Sequence, residues 1–365
     1  MKNILFFVSS MHAGGAERVA AYLCNHWARE NINIILVPTY SKRGECFYNL
    51  DHRVKLIFLA DLLTSKKSNF FSKIRRIMLM RDLMKKYNPD IILSFLTDVN
   101  IAAILSSLGL KKTIIISERI HPSLMPLPFY LKILRFIVYR KADHLVVQTK
   151  RTKSWFHKKN ICKEISVIPN PIAEFNTNEL KNSELENSDK PFILAIGRLN
   201  HAKGFDILIE AYANLYKKKD IPNLIIIGEG EEKKNLEDLI IKEKLTSKIY
   251  LLGKQKNILS FYNNACLFVL SSRFEGFPNV LVEAIANKVP VVAFDCLTGP
   301  REILEEHNAG LLISLDSGAS GLEMGINDAL TNLKINLSDS SKSIKDAYNI
   351  KKIGSDWVDL FNSFQ

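Results

Sequence analysis

The sequence predicts an α/β protein of two doubly wound parallel-sheet domains. Three observations predict it. Short apolar, β-branched runs alternate with stretches of helical spacing from the first residues onward. The alternation stops once, in a polar stretch flanked by prolines, and then restarts. Several runs end in a glycine turn that leads straight into a helix. Strands that are apolar throughout, separated by helical segments, belong to a parallel sheet covered on both faces.

"NILFFVSS" is the first strand. Lys2 precedes it, but the run is too short for a signal-peptide core and leads into a glycine turn and the helix "GAERVAAYLCNHWARE". "INIILVPTY" and "VKLIFLA" read as strands, and "PDIILSFL" as a strand entered through Asn88 and Pro89. "KTIIISE" and "DHLVVQT" each precede a helical stretch, and "ISVIPN" closes a first domain expected at 1–172. Residues 173–190 are polar and aperiodic, the pattern of an interdomain linker. A second domain at 191–345 follows: "FILAIG", a helix from Phe205, "NLIIIGEG", a helix from Glu232, "IYLLG", a short helix near Ile258, "LFVLSS", a helix from Asn279, "VPVVAF" and "GLLIS". The tail, 346–365, carries apolar residues at helical spacing and should pack as an amphipathic helix. Two such domains are expected to open on a cleft at the carboxyl ends of their strands, where ligands bind in sheets of this kind.

Composition narrows the function. The length, 365 residues, suits two domains, and 47% hydrophobic with 24% charged residues suits a globular protein with real cores. The five cysteines form no C-x-x-C pair and have no clustered histidine. They read as packing residues in a reducing compartment, not as a disulfide or zinc framework. No apolar run reaches the roughly 18–20 residues of a spanning helix. The net charge of +12 is unevenly placed: residues 1–170 hold 28 Lys+Arg against 11 Asp+Glu, and the rest of the chain is net negative. Such asymmetry suggests that the first half faces an anionic partner: nucleic acid, phospholipid or a phosphorylated substrate. The plain alternative is solubility charge.

Four segments carry chemistry. In "AIGRLNHAKGFDILIEAY" a strand end is followed by Arg198, Lys203 and a helix, so two cations can converge with a helix N-terminus on a diphosphate. The P-loop spacing is absent, and two solvated surface charges are the bland alternative. Gly14 and Gly15 open a helix after the first strand, allowing close backbone approach; without G-x-G-x-x-G, a dinucleotide is disfavoured. In "SSRFEGFPNVLVEAIANKVPVVAFD", Glu275 lies in a loop and Glu283 one turn inside the next helix. A carboxylate in Glu283's place can accept both hydroxyls of a ribose, while the other holds a sugar. Two acids favoured by the helix dipole alone would look the same. In "TSKKSNFFSKIRRIMLMRDLMKKY" and "LPFYLKILRFIVYRK", Lys66, Lys67, Lys73, Arg75, Arg76, Lys132 and Arg135 are mixed with large apolar residues. That mixture suits surface helices lying on an anionic bilayer; core contacts with a solvated face are the alternative.

"EGFPNVLVE" resembles the E-x7-E motif of retaining GT-B glycosyltransferases of family 4. "GGAERV", "GRLNHAKGFDILIEAY", "IIGEGEE" and "LLGKQKNI" are similar to that family's other signature segments, in the family's order. The similarity covers essentially the whole chain and is greatest to the bacterial GGAER subgroup that builds O-antigen, capsule and other lipid-linked glycans. It implies the GT-B fold, two Rossmann-like domains facing a cleft, with the C-terminal helix crossing back to the first. Arg198 and Lys203 would bind the donor diphosphate, Glu283 the ribose, and Glu275 with the backbone of Gly276, Phe277 and Pro278 the donor sugar. Asn279 would place the helix N-terminus at the leaving group, Gly253 to Asn257 would frame the base, and Gly14 and Gly15 would approach the phosphate and acceptor.

Many relatives carry a histidine at the end of the fifth strand. Here "IIISERIHPS" puts Glu118 and Arg119 at that point as catalytic candidates, with His121 beyond as a loop residue. The resemblance implies retaining transfer from a nucleoside-diphosphate sugar, a UDP-sugar, to a polyprenyl-diphosphate-linked saccharide. The leaving phosphate would take the acceptor proton. No D-x-D motif stands out, so no metal or cofactor is expected. The expected site is peripheral, at the cytoplasmic face of the inner membrane. A nucleotide-sugar epimerase of the same fold is the alternative enzyme. A nucleic-acid-binding protein is disfavoured because no recognised nucleic-acid motif stands out.

Overall fold

The structure is a computed structural model that describes residues 2–41, 46–63, 70–124, 127–172, 191–255, 257–332 and 336–364. The expected linker at 173–190, and the cations Lys66 and Lys67, lie outside the described residues. The chain divides into two compact units, Met1–Pro171 with Tyr348–Gln365, and Ile172–Ala347.

Unit 1 is built on a parallel sheet: β1 (Asn3–Val8), β2 (Asn33–Pro38), β3 (Lys55–Leu56), β4 (Ile91–Phe95), β5 (Thr113–Ser117), β6 (His144–Val147) and β7 (Ile165–Val167). Their order is β3-β2-β1-β4-β5-β6-β7, so the winding reverses between β1 and β4. The intervening helices are α1 (Gly15–Arg29), α2 (Phe70–Tyr87), α3 (Thr97–Ser107), α4 (Phe129–Val138) and α5 (Lys150–Lys158). β1 shows why its sequence is apolar at every position. Ile4, Phe6 and Val8 enter the core layer under α1, while Leu5 and Phe7 enter the layer on the opposite face. "VKLIFLA" pairs over only two residues, because β3 is the sheet edge. Its remaining apolar residues turn inward instead, and Leu59 is fully buried in the second layer.

Unit 2 repeats the design with β8 (Phe192–Ile196), α6 (Phe205–Tyr216), β9 (Asn223–Ile227), α7 (Lys233–Lys242), β10 (Ile249–Leu251), α8 (Leu259–Asn264), β11 (Ala265–Leu270), α9 (Asn279–Ala286), β12 (Val291–Asp295), α10 (Pro300–His307), β13 (Leu311–Ser314), α11 (Gly318–Thr331) and α12 (Leu337–Tyr348). The strand order β10-β9-β8-β11-β12-β13 reverses between β8 and β11.

The last helix, α13 (Ile350–Asn362), belongs to unit 1, the return falling at Tyr348 against an expected 346. Asn349 caps it, accepting from the Lys352 N–H at 2.8 Å. Ile350, Ile353, Trp357 and Phe361 form one buried stripe against α1. The Trp27 ring centroid lies 6.0 Å from that of Trp357 and 5.2 Å from that of Phe361. The Trp27 Nε1–H donates to the Gly354 carbonyl at 3.2 Å. Gly354 permits this approach, since a Cβ there would meet the His26 ring at 2.1 Å.

Candidate functional site

The two strands that flank the reversal in unit 2, β8 and β11, deliver Lys203 and Glu275 to one place. Beyond β8 the chain passes Gly197 and the exposed Arg198, then makes a tight turn at His201–Lys203. The Lys203 stem lies across Gly197, where an added Cβ would stand 3.2 Å from it. Three contacts stitch this turn to the end of β11. The Ser271 hydroxyl donates to the Lys203 carbonyl at 2.9 Å, the Arg273 N–H donates to the Ala202 carbonyl at 2.8 Å, and Arg273 forks onto Asp206 at 2.6 and 2.8 Å. Gly204 sits at φ 63° with Ser271 O only 2.1 Å from where its Cβ would be. Gly204→Ala should therefore destabilise unit 2 by roughly 1–3 kcal/mol, through left-handed strain and a backbone clash that cannot rotate away. Calorimetric unfolding at the wild-type temperature would show that the turn is not locked.

Lys203 Nζ donates to Glu275 Oε1 at 2.5 Å, and the Ser272 hydroxyl donates to the same oxygen at 2.6 Å. The Thr298 hydroxyl donates to the Glu275 carbonyl, and Gly299, at φ 99°, lets the loop before α10 lie on Pro278. Glu275 is 8% exposed, so its charge is held in a shielded place with a cation beside it. Gly276, Phe277 and Pro278 complete the loop, Phe277 being buried, and Asn279 opens α9, whose first N–H groups have no side-chain cap. Ser272, Thr298 and Gly299 went unread in the sequence; a glycine directly before a helix-opening proline was the available signal.

Glu283, the residue expected at the ribose, is deeply buried. It is 1% exposed, on the inner side of α9, and its Oε2 accepts from the Tyr262 hydroxyl at 3.1 Å. A carboxylate one turn into a short helix is swallowed when that helix packs on α8. Gly253 adopts φ 67° after β10, and its carbonyl accepts the Gly228 N–H at 2.9 Å. Asn257 anchors α8 through its carbonyl, which accepts the Ser260 hydroxyl at 3.2 Å. Position 256, between them, lies outside the described residues. Burial beside Glu275 pushes the Cys296 thiol up to about 12, and all five cysteines are free thiols.

In unit 1 the Gly14–Gly15 turn opens α1, and Tyr48 clasps it: its Oη accepts the Gly14 N–H at 3.0 Å and donates to the Gly14 carbonyl at 2.8 Å. Glu118 and Arg119 directly follow β5, and both are enclosed. Glu118 is 2% exposed; it accepts from the Thr97 hydroxyl at 2.8 and 2.9 Å and from the Tyr139 hydroxyl at 2.5 Å. Burial raises its carboxyl above the usual range, against the pull of Tyr139, Arg135 and Thr97. Arg119 stacks 4.3 Å over the Phe95 ring and donates to Ser117 and Asn170; burial lowers its guanidinium to about 9. These two side chains tie the end of β5 to α3 and to the segment after β7. Beside them Leu96, the residue before α3, is held at φ 76°, a strained backbone at the carboxyl end of β4. His121 is buried in a loop, with the Ser123 hydroxyl 2.7 Å from its Nδ1; burial, with Arg151 and Arg135 near, lowers its pKa to about 4.

Of the expected surface cations, Arg135 turns inward and Arg76 is half-buried over an exposed ring. Arg135 is 6% exposed and stacks 5.4 Å from the Trp155 ring, within reach of the Glu118 charge. Arg76 lies 4.1 Å over the Tyr40 ring. Lys73, Arg75 and Lys132 are exposed as expected.

The family model "Glycosyltransferase Family 4" matches residues 13–174, and "Glycosyl transferases group 1" matches residues 176–346. The chain is 28% identical, over 99% of its length and 98% of the relative's, to a Campylobacter jejuni enzyme named GalNAc-alpha-(1->4)-GalNAc-alpha-(1->3)-diNAcBac-PP-undecaprenol alpha-1,4-N-acetyl-D-galactosaminyltransferase. Among solved structures it is similar to a sucrose-phosphate synthase from Thermosynechococcus elongatus (TM-score 0.85, 15% identity, 100% and 99% of the two chains). It is also similar to Anabaena HepE in complex with UDP (TM-score 0.77, 18% identity, 100% of both chains). Two parallel-sheet units, each matched by one half of this domain pair, make the chain a glycosyltransferase of the GT-B fold, with a family 4 domain followed by a group 1 domain.

Proposed function

We propose that the protein is a retaining transferase that moves a hexose or N-acetylhexosamine from a UDP-sugar to a polyprenyl-diphosphate-linked saccharide, in the assembly of a surface polysaccharide such as O-antigen or capsule. The observation that carries the reading is the Lys203–Glu275 pair at the strand reversal of unit 2, beside the opening of α9. Ligands of open α/β sheets bind at such reversals. The donor class is supported by the UDP bound to HepE, and the acceptor class by the lipid-linked saccharide in the Campylobacter enzyme's name.

In this mechanism Arg198 and Lys203 receive the donor diphosphate, and the α9 N–H groups add a positive end to the field. Glu283, kept in place by Tyr262, accepts from the ribose, and Gly253 and Asn257 border the base. Glu275 holds a hydroxyl of the donor sugar. The acceptor hydroxyl oxygen bonds to the anomeric carbon as the bond from that carbon to the diphosphate breaks. The acceptor proton passes to the leaving phosphate oxygen on the same face, so the configuration is retained. The developing charge is met by Arg198, Lys203 and α9, which is why no obligatory metal is assigned. The acceptor is met at the cytoplasmic face of the inner membrane. Among the described residues no helix is long and apolar enough to cross a membrane.

The test is a donor screen with a polyprenyl-diphosphate-linked acceptor, read by NMR of the product. The expected product keeps the donor's anomeric configuration, and EDTA leaves turnover unchanged. An inverted product overturns the retaining mechanism. Conversion of the donor sugar without acceptor identifies an epimerase instead.

A further inference from the structure

We infer that Arg273, paired with Asp206, is a positioning residue for the donor: it fixes the His201–Lys203 turn and, through the turn, aims the Lys203 ammonium at the diphosphate. The inference deepens the donor-binding reading and rests on it. Three successive carbonyls of the turn are held by the segment that follows β11. The Arg273 Nη1 donates to the His201 carbonyl at 2.8 Å, the Arg273 backbone N–H to the Ala202 carbonyl at 2.8 Å, and the Ser271 hydroxyl to the Lys203 carbonyl at 2.9 Å. The same guanidinium forks onto Asp206, in the first turn of α6, at 2.8 and 2.6 Å. Arg273 therefore ties together the turn and the helix that lie on either side of Gly204, the left-handed residue at φ 63°.

Magnitude separates a positioning role from a stabilising one. The Arg273 and Asp206 side chains are 22% and 49% exposed. An ion pair so open to water adds little to stability. A forked guanidinium nevertheless fixes direction as well as distance, which a single ammonium contact does not. Direction matters at Lys203. Its stem lies across Gly197, and its Nζ ends 2.5 Å from Glu275 Oε1. A long side chain that has to be ordered by the ligand weakens binding by the entropy it loses. Holding the turn sets the origin of the stem, so Lys203 is ordered before the donor arrives.

The test is calorimetric titration of the full-length protein with UDP, with uridine as a probe that carries no phosphate. Arg273→Gln and Asp206→Asn should each weaken UDP binding about five- to tenfold, the cost of ordering one long side chain. Their unfolding temperatures should stay near that of wild type, and uridine binding should not change. Arg273→Lys, which cannot fork, should lose UDP affinity to an intermediate degree. In a Lys203→Ala background, Asp206→Asn should change UDP affinity less than about twofold, because the group that it positions is gone. Single variants that bind UDP like wild type overturn the inference. So does a loss that persists undiminished without Lys203, or one that affects uridine and UDP equally, since either assigns Arg273 to general structure. If Arg273→Gln fails to fold, Asp206→Asn decides, because it leaves the Arg273 bonds to His201 and Ala202 in place. Wild type that does not bind UDP, or Lys203→Ala that binds it normally, strikes the donor reading itself and the inference with it.

Discussion

Glu275→Gln should lower sugar transfer by about a hundred- to a thousandfold, with a smaller loss of nucleotide affinity. The substitution keeps shape and removes charge. In the structure that charge faces Lys203 at 2.5 Å and is fixed by Ser272 at 2.6 Å and by the Thr298 contact to its own carbonyl. The backbone anchors survive in the variant, so the side chain stays in place. On the proposed mechanism, Lys203 would then meet the donor diphosphate without its counter-charge, and the sugar would lose an ionic acceptor. Steady-state kinetics and calorimetric titration of UDP separate the two consequences. If transfer and UDP affinity fall together by the same factor, Glu275 serves to hold Lys203 and does not touch the reacting sugar. Because the two groups form one pair, Lys203→Ala added to Glu275→Gln should cost less than the product of the two single effects.

Trp357→Ala should destabilise unit 1 by about 3–5 kcal/mol, the usual cost of deleting a large buried aromatic. Trp357 is fully buried and packs on Trp27, Phe95 and Phe361 with centroid distances of 5.9–6.0 Å. Urea unfolding followed by tryptophan fluorescence reports on this unit alone, because the chain's three tryptophans, Trp27, Trp155 and Trp357, all lie in it. The transition of Trp27 and Trp155 should move to lower urea, while the calorimetric signal of unit 2 stays near its wild-type temperature. An unshifted fluorescence transition would mean that α13 is an appendage and not part of the unit 1 core.

Much of this protein is local in its logic, and that part was legible. Apolar β-branched runs with helical spacers determine two parallel sheets, because each strand buries both faces. The tail's stripe of Ile350, Ile353, Trp357 and Phe361 determines an amphipathic helix, because its period is that of a helix and its apolar residues need cover. The Glu275–Glu283 spacing, with Gly276 and Pro278 between, determines a loop carboxylate followed by a helical one. Burial is a different matter, since it depends on which neighbour covers a residue.

Only the tertiary structure decided that Glu283 lies inside, under Tyr262, and that Glu118 is saturated by Thr97 and Tyr139. Composition treated Arg76 and Arg135 like Lys73 and Lys132. Packing buried Arg135 against the Trp155 ring and laid the half-buried Arg76 over the exposed Tyr40 ring, while Lys73 and Lys132 stayed exposed. The Lys203–Glu275 pair joins residues 72 apart in sequence. No spacing rule reaches that far. The reversal of strand order set β8 beside β11, and that adjacency brought the cation and the carboxylate together.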